Sequence, residues 1–217
     1  MNTPGITVDP IVMLTGEHIQ NQIFFEDVRV PKKNAVGKVG DGWTVAKYLL
    51  QFERGNAYAP KLHGHLNKVR TMAETESGRD GTTLISNTEF RAKLDQAEID
   101  ITAIEFTEHR ILSELSQGGA PGAASSMLKT RGTEMSNRIT ELAVEAVHHY
   151  IAPFQPHMTS PGGPVLEAPA VSANETTIGP DYGTTVMPKY LNDRAGPIYA
   201  GSNEIQRNIM AKAVLGL

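Results

Sequence analysis

The sequence predicts a mainly α-helical fold, an antiparallel four-helix-type bundle preceded by two β-strands. Three observations lead there. From position 43 onward, apolar residues recur at helical spacing through three long segments. The joints between these segments are compact and carry Gly, Pro or capping residues, which makes neighbouring helices antiparallel. Only the opening stretch has the β-branched and aromatic composition of strands. The chain therefore divides into strands over residues 1–36 and a helical bundle over 37–217.

Taken in order, ITVDPIVM (6–13) and IQNQIFFEDVRV (19–30) read as two strands separated by the turn-like TGEH and closed by Pro31. A lone hairpin is marginal in water, so the pair either packs on the rest of the chain or is the tail of a larger sheet. After the glycine-rich joint GKVGDGW (37–43), Trp43, Ala46, Leu49, Leu50, Leu62, Leu66 and Val69 mark one long helix. Asp41 stands at its N-cap position, and Gly55 and Pro60 are expected to bend it. In the second helix Phe90, Leu94, Ala97, Ile101, Ile104, Ile111 and Leu115 fall on one face behind a Ser86/Asn87 cap, and GGAPG (118–122) stops it. A third helix carries Leu128, Met135, Ile139, Leu142 and Ala146 and runs to about Tyr150. Residues 152–188 hold seven prolines and no apolar period, which marks a wrapping or lid-like segment. A short helix near 187–195 and a terminal helix from about 202 complete the set.

Composition removes several function classes. At 217 residues and 40% hydrophobic content the chain can bury an ordinary core. Twenty Lys+Arg against 24 Asp+Glu, with no basic block, gives a nucleic-acid surface no electrostatic support. Cysteine is absent, so there is no disulfide or thiolate chemistry, and a reducing, cytoplasmic setting is expected. No apolar run approaches the roughly 18–20 residues of a membrane span. MNTPGITVDP has neither the basic start nor the apolar core of a secretory signal.

Motifs narrow the rest. His63/His65 and His148/His149 lack metal-ligand spacing and matching carboxylates, so no metal is expected. GKVGDG lacks the ending of a phosphate-binding loop and reads as a hinge, and no GxSxG nucleophile elbow occurs. What remains is Glu53, in YLLQFERGNA, inside an apolar helical run and beside Arg54. It is either a solvated Glu-Arg step on a helix edge or a partly buried carboxylate whose raised pKa suits a base.

Two segments carry a family resemblance: FFEDVRVPKKNAVGKVGDGW (24–43) leading into a helix, and IYAGSNEIQRNIMAKAVLGL (198–217). Together they resemble the acyl-CoA dehydrogenase family. The resemblance covers essentially the whole chain but only the C-terminal half of the family's fold: the last strands of its middle β-domain (1–36) and its C-terminal helical bundle (37–217). FERGNAYAPK, SSMLKTRGTEMSNRITELAVEA and the Pro-rich loop are most similar to the large-subunit branch that acts on pimeloyl-type, other dicarboxyl or bulky acyl-CoA thioesters.

In much of the family the tyrosine of the terminal motif is followed by the glutamate that removes the thioester α-proton. Here that place is Ala200. In other members the base comes from the first bundle helix, in an E-R step like Glu53-Arg54, and the terminal motif carries Ala or Gly. The resemblance thus implies that Glu53 is the base in an FAD-dependent α,β-dehydrogenation, with the β-hydrogen passing as hydride to flavin N5. The amide of Ala200 would help polarise the thioester carbonyl. Tyr199, Ala200, Gly201 and Arg54 would meet the substrate, Arg54 alternatively only neutralising Glu53. Ser202 and Glu204 would contact FAD, Ser202 alternatively only capping a helix. The implied partners are an acyl-CoA, an acceptor of the electron-transfer-flavoprotein type, and other subunits in a homo- or hetero-oligomer.

Two departures stand out. Where the family has its Arg-x-Gln-Phe-Gly segment and its Gly-Gly turn, both of which meet flavin across the dimer, this chain has NKVRTMAETESG and HHYIAPFQPH. The family's N-terminal helical domain and most of its β-domain have no counterpart here. The chain is therefore expected to be a fragment, a split-gene product or one subunit of a pair. The alternative to a catalytic portion is a flavin-free assembly module or an inactive truncated fragment.

Overall fold

A computed structural model of the chain describes residues 2–15, 18–52, 57–78, 80–120, 122–155 and 177–217, without the side chains of Gln51 and Phe52. Strands β1 (Ile6–Val12) and β2 (His18–Phe25) pair antiparallel, Ile6 opposite Phe25 and Val8 opposite Ile23, with an irregularity at Ile11/Val12. The second strand ends at Phe25 and not near residue 30. Glu26 N–H donates to Gly5 O (2.8 Å), and Asp27 then turns the chain with φ +50°. Val8, Ile11, Ile23, Phe24 and Phe25 are all exposed.

The expected long first helix is instead two, α1 (Gly42–Phe52) and α2 (Ala59–Thr75). Pro60 starts α2 rather than bending a longer helix. In the first turn its missing N–H and fixed φ cost nothing, whereas mid-helix both would disrupt the ladder. Gly55 lies outside the described residues. The two helices also differ in packing. Leu62, Leu66 and Val69 of α2 are buried, while Trp43, Tyr48, Leu49 and Leu50 of α1 are exposed.

Helix α3 (Thr88–Ser116) follows the sequence reading closely. The Asn87 side chain accepts from the N–H groups of Glu89 and Phe90 at 3.0 Å each, and Phe90, Leu94, Ala97, Ile101, Ile104 and Ile111 are buried. Past its end Gly118 takes φ +82°. Helix α4 (Gly122–Val147) is the hub and packs on α2, α3, α5 and α6. A 3-10 turn, His148–Ile151, extends it to where the sequence reading ended it. Helix α5 (Gly183–Asp193) begins ahead of the expected position 187, and α6 (Asn203–Met210) runs into a π-helical turn over Ala211–Leu215. Of the Pro-rich segment, residues 156–176 lie outside the described residues.

The core is one cluster in which α2, α3 and α4 meet, with Val186 added from α5. Each fully buried Leu or Ile there contributes about 1.5–3 kcal/mol by leaving water. Among the described residues no helix is long and apolar enough to cross a membrane.

Candidate active site

The site builds on the loop from α5 to α6. Its start is fixed by charge. Asp193, buried at the end of α5, pairs with Lys189 one turn back and accepts from Ser136 Oγ of α4 at 2.7 Å. Arg194 donates to Glu141 (3.1 Å), to the Asn137 carbonyl (3.1 Å) and to Thr140 Oγ1 (3.0 Å), and its guanidinium lies 4.3 Å from the Tyr190 ring centre. The N–H groups of Ile198 and Tyr199 then both donate to Ala195 O, at 2.9 and 3.1 Å.

The chain reverses through two left-handed residues, Ala200 (φ +54°) and Gly201 (φ +80°). Glycine adopts this region freely, whereas alanine carries a cost of roughly 1–2 kcal/mol. A Cβ on Gly201 would come 2.6 Å from Gln206 Nε2, which donates to Gly201 O at 3.2 Å. Among the described residues the Ala200 N–H donates to no backbone carbonyl. Ser202 caps α6, its Oγ accepting from Ile205 N–H at 3.4 Å, so its capping role is present. Glu204, exposed in the first turn, has its carboxyl held below the usual range by its own backbone N–H and the Ser202 hydroxyl, helped by Arg207 and Lys129.

The loop rests on α4 through a buried polar network. Lys129 Nζ donates to Gly196 O (3.2 Å) and to Asn203 Oδ1 (2.9 Å). Asn203 Nδ2 donates to Thr133 Oγ1 (3.2 Å), whose hydroxyl in turn donates to Lys129 O (2.9 Å). Beyond it, Gln206 Oε1 is buried with no hydrogen-bond partner among the described residues.

The other side of the site is the entry to α2. Glu108 of α3, buried, accepts from the N–H groups of Tyr58 and Ala59 (3.1 Å for Ala59), so a carboxylate closes the positive end of α2. The Tyr58 hydroxyl is pushed up by burial and by its neighbours Tyr199 and Glu108. The Tyr199 hydroxyl is pushed up by burial and by Asp193.

Tyr199, Ala200, Gly201, Ser202 and Glu204 thus stand together on one loop and helix turn, as the sequence suggested. Glu53 and Arg54 lie outside the described residues. Sequence reading missed Tyr58, Glu108, Lys129, Thr133 and Asn203. A usable signal existed in α4, where Lys129 and Thr133 are spaced one turn apart on the line that Ser125 and Ser126 begin. All four are buried, so polarity there marks a buried polar seam rather than a solvated face.

The hub helix carries such a seam beneath a capped reversal in a helical domain, and comparison supplies the class. Residues 40–150 match the model of the acyl-CoA dehydrogenase C-terminal domain, and the chain belongs to the acyl-CoA dehydrogenase family. It is 28% identical over 217 residues to the acyl-CoA dehydrogenase IpdE1 of Mycobacterium tuberculosis, covering 100% of this chain and 49% of that protein. Its fold matches a chain of the ChsE4-ChsE5 complex from Mycobacterium tuberculosis with TM-score 0.73 at 24% identity, covering 100% of this chain and 51% of that one. It matches glutaryl-coenzyme A dehydrogenase in complex with glutaryl-CoA with TM-score 0.74 at 18% identity, covering 99% and 48%. The chain spans about half the length of these relatives.

Proposed function

We propose that this chain is the C-terminal portion of an FAD-dependent acyl-CoA dehydrogenase that catalyses α,β-dehydrogenation of an acyl-CoA thioester, with Glu53 as the base that takes the α-proton. The observation that supports the reading is the left-handed reversal at Ala200 and Gly201, where the Ala200 N–H donates to no backbone carbonyl among the described residues. Tyr58, at the entry to α2, has its hydroxyl influenced by Tyr199 on that loop, and Glu53 precedes Tyr58 in the sequence. Four residues of chain separate Glu53 from Tyr58, five Cα-to-Cα steps and so a reach of at most about 18 Å. Ala200 itself offers no carboxylate, so the base must come from another element.

The residues present fit a flavin. The Ser202 hydroxyl, the Glu204 carboxylate and the buried carbonyl oxygen of Gln206, which has no partner among the described residues, gather hydroxyl-compatible donors and acceptors on α6. Ser202 and Glu204 would hold the cofactor, and FAD when bound supplies the acceptor for the β-hydrogen. The chain's own part is to hold the thioester carbonyl at the Ala200 N–H, to receive the α-proton on Glu53, and to bound the acyl group with Tyr199, Gly201 and Arg54. The substrate class is an acyl-CoA, the electron acceptor a protein of the electron-transfer-flavoprotein type, and the assembly an oligomer. The strands over 1–36 then belong to a β-domain completed by other residues, and the bundle over 37–217 is the second domain.

A second reading, an assembly module without chemistry, is favoured by the exposed apolar residues of the hairpin and α1, which suit contact with other protein. A flavin spectrum separates the two. The chain is purified alone and then with an N-terminal half of the same family, and acyl-CoA is added. Bound flavin that bleaches with substrate supports the dehydrogenase, and a colourless protein in both preparations supports the module. Glu53→Gln should keep the flavin and lose turnover; near wild-type turnover would remove Glu53 from the role.

A further inference from the structure

We infer that Lys129 is a positioning residue, a clamp that ties both ends of the Gly196–Asn203 loop to α4 and so sets the direction of the Ala200 amide. The inference rests on the proposed role of that amide. The loop cannot hold its own shape. It reverses through Ala200 and Gly201, both left-handed, and an alanine there relaxes toward ordinary backbone unless its flanks are fixed.

The flanks are fixed from one atom. Lys129 Nζ holds the Gly196 carbonyl before the reversal and the Asn203 side chain after it. The span is closed again by the Asn203 N–H, which donates to Pro197 O at 2.8 Å. Asn203 is in turn oriented by Thr133, so that its oxygen faces the amine and its nitrogen faces the hydroxyl. Lys129, Thr133, Gly196 and Asn203 are all buried.

The choice of partners argues for orientation over stability. Both acceptors of Lys129 are neutral oxygens, and among the described residues the carboxylate whose charge acts on it is that of the exposed Glu204. A buried ammonium is better compensated by a contacting carboxylate, as Lys189 is by Asp193 within α5, just ahead of the loop. A lysine bonded to a backbone carbonyl and a side-chain amide at opposite ends of a loop instead restrains their separation, because both oxygens must stay within hydrogen-bond reach of one Nζ.

The test is residue-resolved amide hydrogen exchange on the full chain, comparing wild type with Lys129→Met, which keeps the stem length and removes all donors. Exchange of the amides between Ile198 and Asn203 should accelerate at least about tenfold, while those of Leu94 and Ile101 in α3 keep their rates. Leu94→Ala is the control for general destabilisation and should accelerate both regions together. If Lys129→Met does not fold, Asn203→Ala removes the same clamp with the lysine in place and should give the same selective pattern. Unchanged exchange in the loop, or uniform acceleration throughout, overturns the inference.

In the flavin-loaded assembly, Lys129→Met should lower kcat about tenfold with KM within about twofold. A selectively loosened loop with undiminished kcat would overturn the link to catalysis. If the wild-type assembly turns over no acyl-CoA, the proposed function fails, and the exchange pattern still decides whether the clamp exists.

Discussion

Gly132 of α4 lies beneath the ring of Tyr58: a Cβ built on the glycine would come 2.4 Å from both Cγ and Cδ1 of the tyrosine. In an exposed helix, Gly→Ala stabilises by about 1 kcal/mol. Here the added methyl meets the base of an aromatic ring close to its own backbone, and the ring cannot swing aside without moving the entry to α2. Gly132→Ala is expected to destabilise by about 1–3 kcal/mol in urea titration. In the background of Tyr58→Ala the same change should be neutral or favourable. A stabilising effect in the wild-type background would mean that the ring does not sit there.

Glu108 supports the same junction from below. Its carboxylate accepts from two N–H groups at the start of α2, where unpaired donors and the positive helix end meet. Glu108→Ala removes that acceptor and should cost about 1–2 kcal/mol. Glu108→Gln keeps an acceptor oxygen and loses the charge, so its cost should be roughly half. Equal costs for the two substitutions would show that the charge alone carries the effect and that the neutral acceptor of Gln contributes nothing.

Lys189 and Asp193 form a pair buried on both sides, with side-chain exposures of 8% and 8%. Removing one partner leaves the other charge without compensation in a poorly polarisable interior. Asp193→Ala is therefore expected to cost about 3–5 kcal/mol, and it also strips Ser136 of its acceptor. Replacing both charges, Lys189→Met with Asp193→Leu, should cost far less than the sum. Chemical unfolding of the two single variants and the double variant closes the cycle, and additive costs would contradict direct pairing.

His65, half-buried on α2, has its imidazole pushed down to about 4, by burial first and then by Lys189, Lys61 and Lys68, against the opposing pull of Asp193. In the unfolded chain a histidine takes its proton near pH 6.5. Between those two values the unfolded state binds a proton that the folded state does not, so stability falls as pH drops from about 6.5 toward 4. The loss should reach about 2–3 kcal/mol over that interval. His65→Gln should flatten it, most clearly above pH 4.5, where carboxylates have yet to protonate. Parallel melting-temperature curves for both proteins from pH 4.5 to 7 would exclude His65 as the source.

The bundle was readable because its helices obey one period. Phe90, Leu94, Ala97 and Ile101 repeat on a single face, and Asn87 announces their start, so burial and capping both follow from spacing. The split between α1 and α2 was not readable in that way. Apolar spacing runs across Phe52 and Leu62 alike, and the start of α2 takes its acceptor, Glu108, from fifty residues away in sequence. The site was legible where it is local: Tyr199 to Glu204 lie within one loop and one helix turn. Lys129 was hidden for the opposite reason. A lysine in a helix reads as solvated, and only the packing of α6 on α4 makes it a buried donor.

That contrast bears on the position of the base. Ala200 is exposed and already left-handed, a conformation that any non-glycine side chain tolerates at similar cost, so a glutamate fits there without rebuilding the loop. In the flavin-loaded assembly, Glu53→Gln should lower turnover by about 10²–10⁴-fold. Adding Ala200→Glu should restore a substantial part by supplying the carboxylate from the other element. With Glu53 intact, Ala200→Glu should reduce activity near neutral pH, because two carboxylates sharing a site raise each other's pKa and one holds a proton it ought to release. The pH profile should then shift upward. No recovery in the double variant, with the flavin still bound, would mean that the two positions do not reach the same carbon, and the assignment of Glu53 would lose its strongest support.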